Sequence, residues 1–134
     1  MNGNKNPTGK AVLDSNILIY RANNRIDYRA VVAPYTELYI SVIAYMEVMG
    51  FNFENESDRQ DLETLLDTFT LIHTDSAIAD HVIAYRKIRK VKLPDAITLA
   101  TARRLNADLI TVNEPDFRGL DPMVRIEVPV LIEK

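Results

Sequence analysis

The sequence contains no cysteine. Disulfides and thiolate zinc sites are therefore excluded. Histidine is nearly absent too, at two residues in 134, which argues against imidazole-bound zinc. No apolar run approaches the length needed to cross a bilayer, so no membrane is implied. Met1-Asn2-Gly3-Asn4-Lys5-Asn6-Pro7 holds no apolar segment and does not read as a secretory signal. Residues 1–9 read as a polar, flexible lead-in. Excess positive charge is also missing. A net charge of −3 excludes a uniformly basic nucleic-acid binder while leaving room for a local basic patch. There is no internal repeat, low-complexity tract or linker. One domain over residues 1–134, in a reducing cytoplasm, fits all of these absences.

What is present is ordinary in amount: 47% hydrophobic and 26% charged residues are enough for one sheet covered by helices. The pattern is more telling. Lys10-Ala11-Val12-Leu13 is a short apolar run that stops at Asp14, as a buried strand ending in a carboxylate would. Ser15 or Asn16 can cap the helix that follows, and Pro34 interrupts the helical stretch reaching Ala33. Leu38-Tyr39-Ile40, Thr70-Leu71-Ile72 and Leu109-Ile110-Thr111-Val112 are further strands. Val124 to Ile132 is β-prone, and Pro129 suits an edge strand or an extended tail. Helices alternate with these strands. Ser41 caps residues 42–49, with Gly50 closing them. Ser57 and Gln60 have capping-box spacing, Asp75 or Ser76 opens another helix, and Leu93-Pro94-Asp95 opens the next. Asn106-Ala107-Asp108 is a turn. Such alternation predicts an α/β/α fold of three layers around a mostly parallel sheet. In that fold the carboxyl ends of the strands share one rim, where ligand crevices form.

Acidic residues gather at that rim. Asp14 follows the first strand. Asn113, Glu114 and Asp116 follow the fourth, and Asp95 opens the helix just before it. Between Val42 and Phe51 every residue but Gly50 is apolar or aromatic except Glu47. A helix apolar all round is a buried helix, and a carboxylate on it needs a partner, a metal or a path to water. Clustered carboxylates repel unless a cation joins them. The cation implied is hard and oxygen-seeking, Mg²⁺ or Mn²⁺, and the fitting chemistry is hydrolysis of a phosphodiester. Each residue also has a plainer role available. Asp95 can be a capping aspartate, and the basic stretch Arg86, Lys87, Arg89, Lys90, Lys92 can complement a helix end rather than meet phosphates.

Four motifs in order resemble the PIN-domain family, and within it the VapC-type toxins of toxin–antitoxin pairs. They are Leu13-Asp14-Ser15-Asn16; Ser41 with Glu47; Leu93-Pro94-Asp95-Ala96; and Leu109-Ile110-Thr111-Val112-Asn113 with Asp116-Phe117. The resemblance spans Val12 to about Phe117. It implies a Mg²⁺- or Mn²⁺-dependent endoribonuclease in which water attacks phosphorus in line and the 3′ oxygen leaves. Asp14, Glu47 and Asp95 map onto its metal ligands. The fourth acidic position falls on Asn113 or Asp116, with Asp116 carried as the carboxylate. Asn16, Ser41, Thr111 and Asn113 map onto polar residues around the ligands, and Arg86, Arg89, Lys90 and Lys92 could guide RNA. A VapB-type antitoxin and a homodimer are further implications. The alternatives are a PIN nuclease or RNA-binding protein acting in RNA processing. A phosphoacceptor receiver would want an acceptor Asp and a Lys after later strands, and a haloacid-dehalogenase-like phosphatase an Asp at position 16, where Asn stands.

Overall fold

The computed structural model describes residues 9–132. The lead-in expected over residues 1–9 therefore lies outside the described residues except for Gly9. Gly9 adopts φ +86, and its carbonyl accepts from the Thr36 and Glu37 N–H groups at 2.8 and 3.1 Å. Those bonds set β1 (Lys10–Leu13) beside β2 (Glu37–Ser41). The other strands are β3 (Thr70–Ile72), β4 (Asp108–Ile110) and β5 (Ile126–Glu127). The sheet order is β3-β2-β1-β4-β5, and every pairing is parallel. The first strand in sequence is thus the central one.

The helices are α1 (Ser15–Ala22), α2 (Tyr28–Val32), α3 (Val42–Met49), α4 (Glu56–Leu66), α5 (Ser76–Ile88) and α6 (Leu93–Leu105). Alternation along β1 explains the layers, because successive side chains point to opposite faces. Ala11 and Leu13 pack with Ile17, Leu18, Ala44, Val48 and Leu62, on the side of α1, α3 and α4. Val12 packs with Ile78, Val82, Tyr85 and Leu99, on the side of α5 and α6. The expected α/β/α arrangement is borne out, and the sheet is wholly parallel where it was expected to be mostly so.

Several boundaries differ, each for a local reason. Asp14, not Ser15 or Asn16, caps α1: its carboxylate accepts from the Ser15 N–H at 2.9 Å. Helix α4 starts one residue before Ser57, after Asn55, and no side chain caps it, so the Ser57–Gln60 spacing is not used. Asp95 is not a cap either. Lys92 holds that position and Asp95 lies in the first turn of α6. Asp108 opens β4 rather than ending a turn, and Asn106 alone makes the left-handed turn at φ 54. Of the β-prone segment 124–132 only Ile126–Glu127 pairs; beyond it the chain runs extended until the Ile132 N–H reaches the Arg25 carbonyl at 2.7 Å. Helix α3 is not buried all round. Ala44 and Val48 face the core, while Met46 is 53% exposed and Glu47 is exposed beside it. It packs with one face only, so its apolar composition misjudged its burial.

Candidate active site

The rim is built where β1 and β4 end together. The strand pairing continues one residue past Leu13, because the Asp14 N–H donates to the Ile110 carbonyl at 2.9 Å. Asp14 thereby sits beside Thr111, which follows β4. The Thr111 hydroxyl donates to Asp14 Oδ2 at 2.9 Å and accepts from the Asn113 N–H at 3.0 Å. Asn16 Nδ2 reaches the same Asp14 oxygen at 3.1 Å and Thr111 Oγ1 at 3.3 Å. Asn16 Oδ1 accepts from the Val112 N–H at 3.4 Å. Neutral donors therefore hold the carboxylate in one orientation, and no ion pair to it occurs among the described residues.

Asp14 is 6% exposed. Its pKa is pushed up to about 6, chiefly by burial; the Thr111 and Ser15 bonds oppose the rise, and Asp95 and Glu47 add to it. Asp95, half-buried, is also raised, by burial first and then by Asp116 and Glu47, with Lys92 opposing. Asp14, Glu47 and Asp95 thus feel one another's charge, and Asp116 acts on Asp95 alone of the three. Glu47 is tethered there across 32 residues of sequence: the Ser15 hydroxyl donates to its Oε1 at 3.1 Å. Ser15 went unnoticed in the sequence except as a cap. Its position one residue past the strand-end carboxylate was the available signal.

The remaining candidates are placed as follows. Ser41 is buried, and its hydroxyl accepts from the Ala44 N–H at 3.2 Å, capping α3; no bond joins it to the four carboxylates among the described residues. Asn113 presents its backbone to Thr111, while its residue is exposed. Asp116 is exposed and ends a single 3-10 turn, Glu114–Asp116. Glu114 is drawn aside by Arg118, which donates to it at 3.1 and 2.5 Å. Two of the four basic candidates are engaged by backbone. Arg86 donates to the Val91 carbonyl at 2.9 Å. Arg89 donates to the carbonyls of Asp116 and Arg118 at 3.2 and 2.8 Å. Lys90 and Lys92 are exposed.

The donor set suits a hard divalent ion: carboxylate oxygens, with hydroxyl and amide groups fixing the buried one and no sulfur or imidazole. The carboxylates stand open rather than closed around a point. Among the described residues no three acidic or histidine side chains are near enough together to hold an ion as placed. The repulsion that Asp95 and Glu47 exert on Asp14 is what a cation would relieve.

A model of the PIN domain matches residues 11–121 of the chain. Among solved structures, a toxin–antitoxin complex from Klebsiella pneumoniae is similar at 37% identity, over 85% of this chain and 94% of that one, with a TM-score of 0.73. VapBC2 from Rickettsia felis, bound to a DNA fragment from its promoter, is 21% identical over 89% of this chain and 98% of that one, at a TM-score of 0.73. VapBC-1 from nontypeable Haemophilus influenzae is 23% identical over 89% and 97%, at 0.70. The last two likenesses are of fold. A comparison with curated protein sequences finds no match.

Proposed function

The chain belongs to the PIN-domain family, and from that membership we propose that it is a VapC-type toxin, a Mg²⁺- or Mn²⁺-dependent endoribonuclease working as one domain in the cytoplasm. The observation that supports this reading is the Asp14 carboxylate, buried at the strand rim and held by Thr111, Asn16 and the Ser15 N–H with no cation beside it among the described residues, while Ser15 also bonds Glu47 and the charges of Asp95 and Glu47 act on it. A buried carboxylate without its own counter-charge is a poor structural device and a good cation ligand.

Asp14, Glu47, Asp95 and Asp116 would hold the ion. A bound divalent ion supplies activation of water and neutralisation of charge at the scissile phosphate. The chain's own groups do the rest. Thr111 and Asn16 fix the Asp14 carboxylate, and Ser15 turns Glu47 toward it from an exposed helix face. Lys90 and Lys92, exposed at the edge leading into α6, attract the RNA backbone, while Arg86 and Arg89 serve the loops they bond. RNA enters as a single strand or loop, whose backbone is open to the rim. The similarity to toxin–antitoxin complexes supports a VapB-type antitoxin as partner, and a homodimer is part of the same proposal.

The test is RNA cleavage by purified protein with Mg²⁺ or Mn²⁺ added or chelated, comparing the wild type with Asp14→Asn and Asp95→Asn. Cleavage is expected only with metal and only in the wild type, leaving 5′-phosphate ends. Full activity in both variants, or in the presence of chelator, rejects the reading. Growth arrest on expression, relieved by the product of an adjacent small gene, separates a toxin from an RNA-processing nuclease.

A further inference from the structure

The turn that presents Asp116 lies on the surface, and a three-residue 3-10 turn has little to hold it in place. Its internal bonds are two, from the Asp116 N–H to the Asn113 carbonyl and from the Phe117 N–H to the Glu114 carbonyl, both at 3.0 Å. Buried Phe117 anchors its inner side. On the outer side, one nitrogen of Arg89 donates to the carbonyls of Asp116 and Arg118 together. Arg89 terminates α5, and only Lys90 to Lys92 separate it from α6, where Asp95 lies in the first turn. One guanidinium therefore ties the segment carrying Asp116 to the segment leading into Asp95. Arg118 cannot take over, because its own guanidinium is bonded to Glu114.

We propose that Arg89 is a positioning residue that holds Asp116 against Asp95 for divalent-ion binding, and not a contact for RNA. The proposal rests on the metal-site reading above. Arginine suits the task because the rigid planar guanidinium fixes the directions of the two N–H groups on that one nitrogen, whereas a lysine ammonium rotates freely on a flexible stem. The exposed position of Arg89 means that its removal leaves the core untouched.

The test is a double-mutant cycle on metal-free protein without RNA. Mn²⁺ binding is followed by the electron paramagnetic resonance signal of the free ion in the wild type, Arg89→Gln, Asp116→Asn and the double variant. Arg89→Gln is expected to weaken Mn²⁺ binding by roughly tenfold, as loss of a supporting residue around a metal does. In the Asp116→Asn background the same change should matter less than about twofold, because the two residues act as one unit. Arg89→Lys should recover part of the loss. All four proteins are expected to melt at closely similar temperatures. An equal loss in both backgrounds overturns the proposal, as does wild-type Mn²⁺ affinity in Arg89→Gln. Weakened RNA retention with Mn²⁺ affinity intact overturns it in favour of an RNA contact. If the wild type binds no Mn²⁺, or Asp14→Asn binds it as well as the wild type, the site reading itself fails and this proposal falls with it.

Discussion

The two ends of β1 and β4 bury an aspartate each, and they do so in opposite ways. At the amino end, Asp108 is 0% exposed and comes with its own counter-charge. Arg125 donates to its Oδ2 at 2.9 Å and to Glu127 at 2.6 Å, and the Tyr35 hydroxyl donates to the same Asp108 oxygen at 2.7 Å. At the carboxyl end, Asp14 is nearly as buried, yet its donors are a backbone amide, a hydroxyl and a side-chain amide. Its charged neighbours, Asp95 and Glu47, repel it. The first arrangement gives the buried carboxylate an arginine, shared with Glu127, and joins β4, β5 and the loop before β2. The second leaves charge unbalanced at a rim open to ligands. One protein thus holds one desolvated carboxylate with a cation beside it and another with neutral donors alone.

That contrast can be broken by substitution. The largest effect is expected at the amino end. Arg125→Ala strands Asp108 in the core and should cost about 3–5 kcal/mol, the usual penalty for removing one partner of a buried pair. Urea unfolding measures it, and a loss under about 1 kcal/mol would mean that Asp108 does not depend on Arg125. Asp14→Asn should do the reverse in metal-free protein. A carboxyl raised from 3.8 to about 6 keeps its proton longer in the native state than in the unfolded one. Between those values the native state binds more protons, so stability falls as pH rises, and the cost persists above pH 6. The full difference is about 3 kcal/mol, and Asn, which carries no charge, should recover part of it. Urea midpoints at pH 4, 5 and 7 should therefore favour Asp14→Asn increasingly; parallel curves for the two proteins would refute the assignment of this slope to Asp14. The smallest effect is sharpest in meaning. Thr111→Val removes the hydroxyl from Asp14 and from the Asn113 N–H with little change in volume. Mn²⁺ affinity should drop by roughly tenfold. An unchanged affinity would reduce Thr111 to a strand-end residue.

Features written in neighbouring residues are legible in the sequence alone. Ser41 and Asp75 are caps, Thr70–Ile72 is a strand, and Asn106 turns the chain, because each depends on side-chain and backbone chemistry within a few positions. Asp14, Asp95 and Asp116 could be named from their places after strands or at a helix start, and Glu47 as the one charge in an apolar helix. Their partners could not. Ser15 meets Glu47 across 32 residues, Thr111 meets Asp14 across 97, and Arg89 meets Asp116 across 27. Local pattern carries no information on such pairings. The same limit explains Asp108: flanked by Asn106 and Ala107 it reads as a turn residue, and only Arg125, 17 residues on, makes its burial tolerable. Composition also misled at α3, where Ala44 and Val48 are buried but the equally apolar Met46 is left exposed on the face that carries Glu47.

The central place of β1 has a consequence for synthesis. Its neighbour on one side, β2, follows within a few dozen residues, but its neighbour on the other side is β4, which begins at Asp108. A nascent chain that has exposed only the first hundred residues from the ribosome carries Asp14, Glu47 and Asp95, yet β4 and β5, two of the sheet's five strands, have not emerged. A chain that ends before Asp108 lacks the strand whose Ile110 carbonyl and following Thr111 hydroxyl hold Asp14, and should leave that carboxylate unanchored.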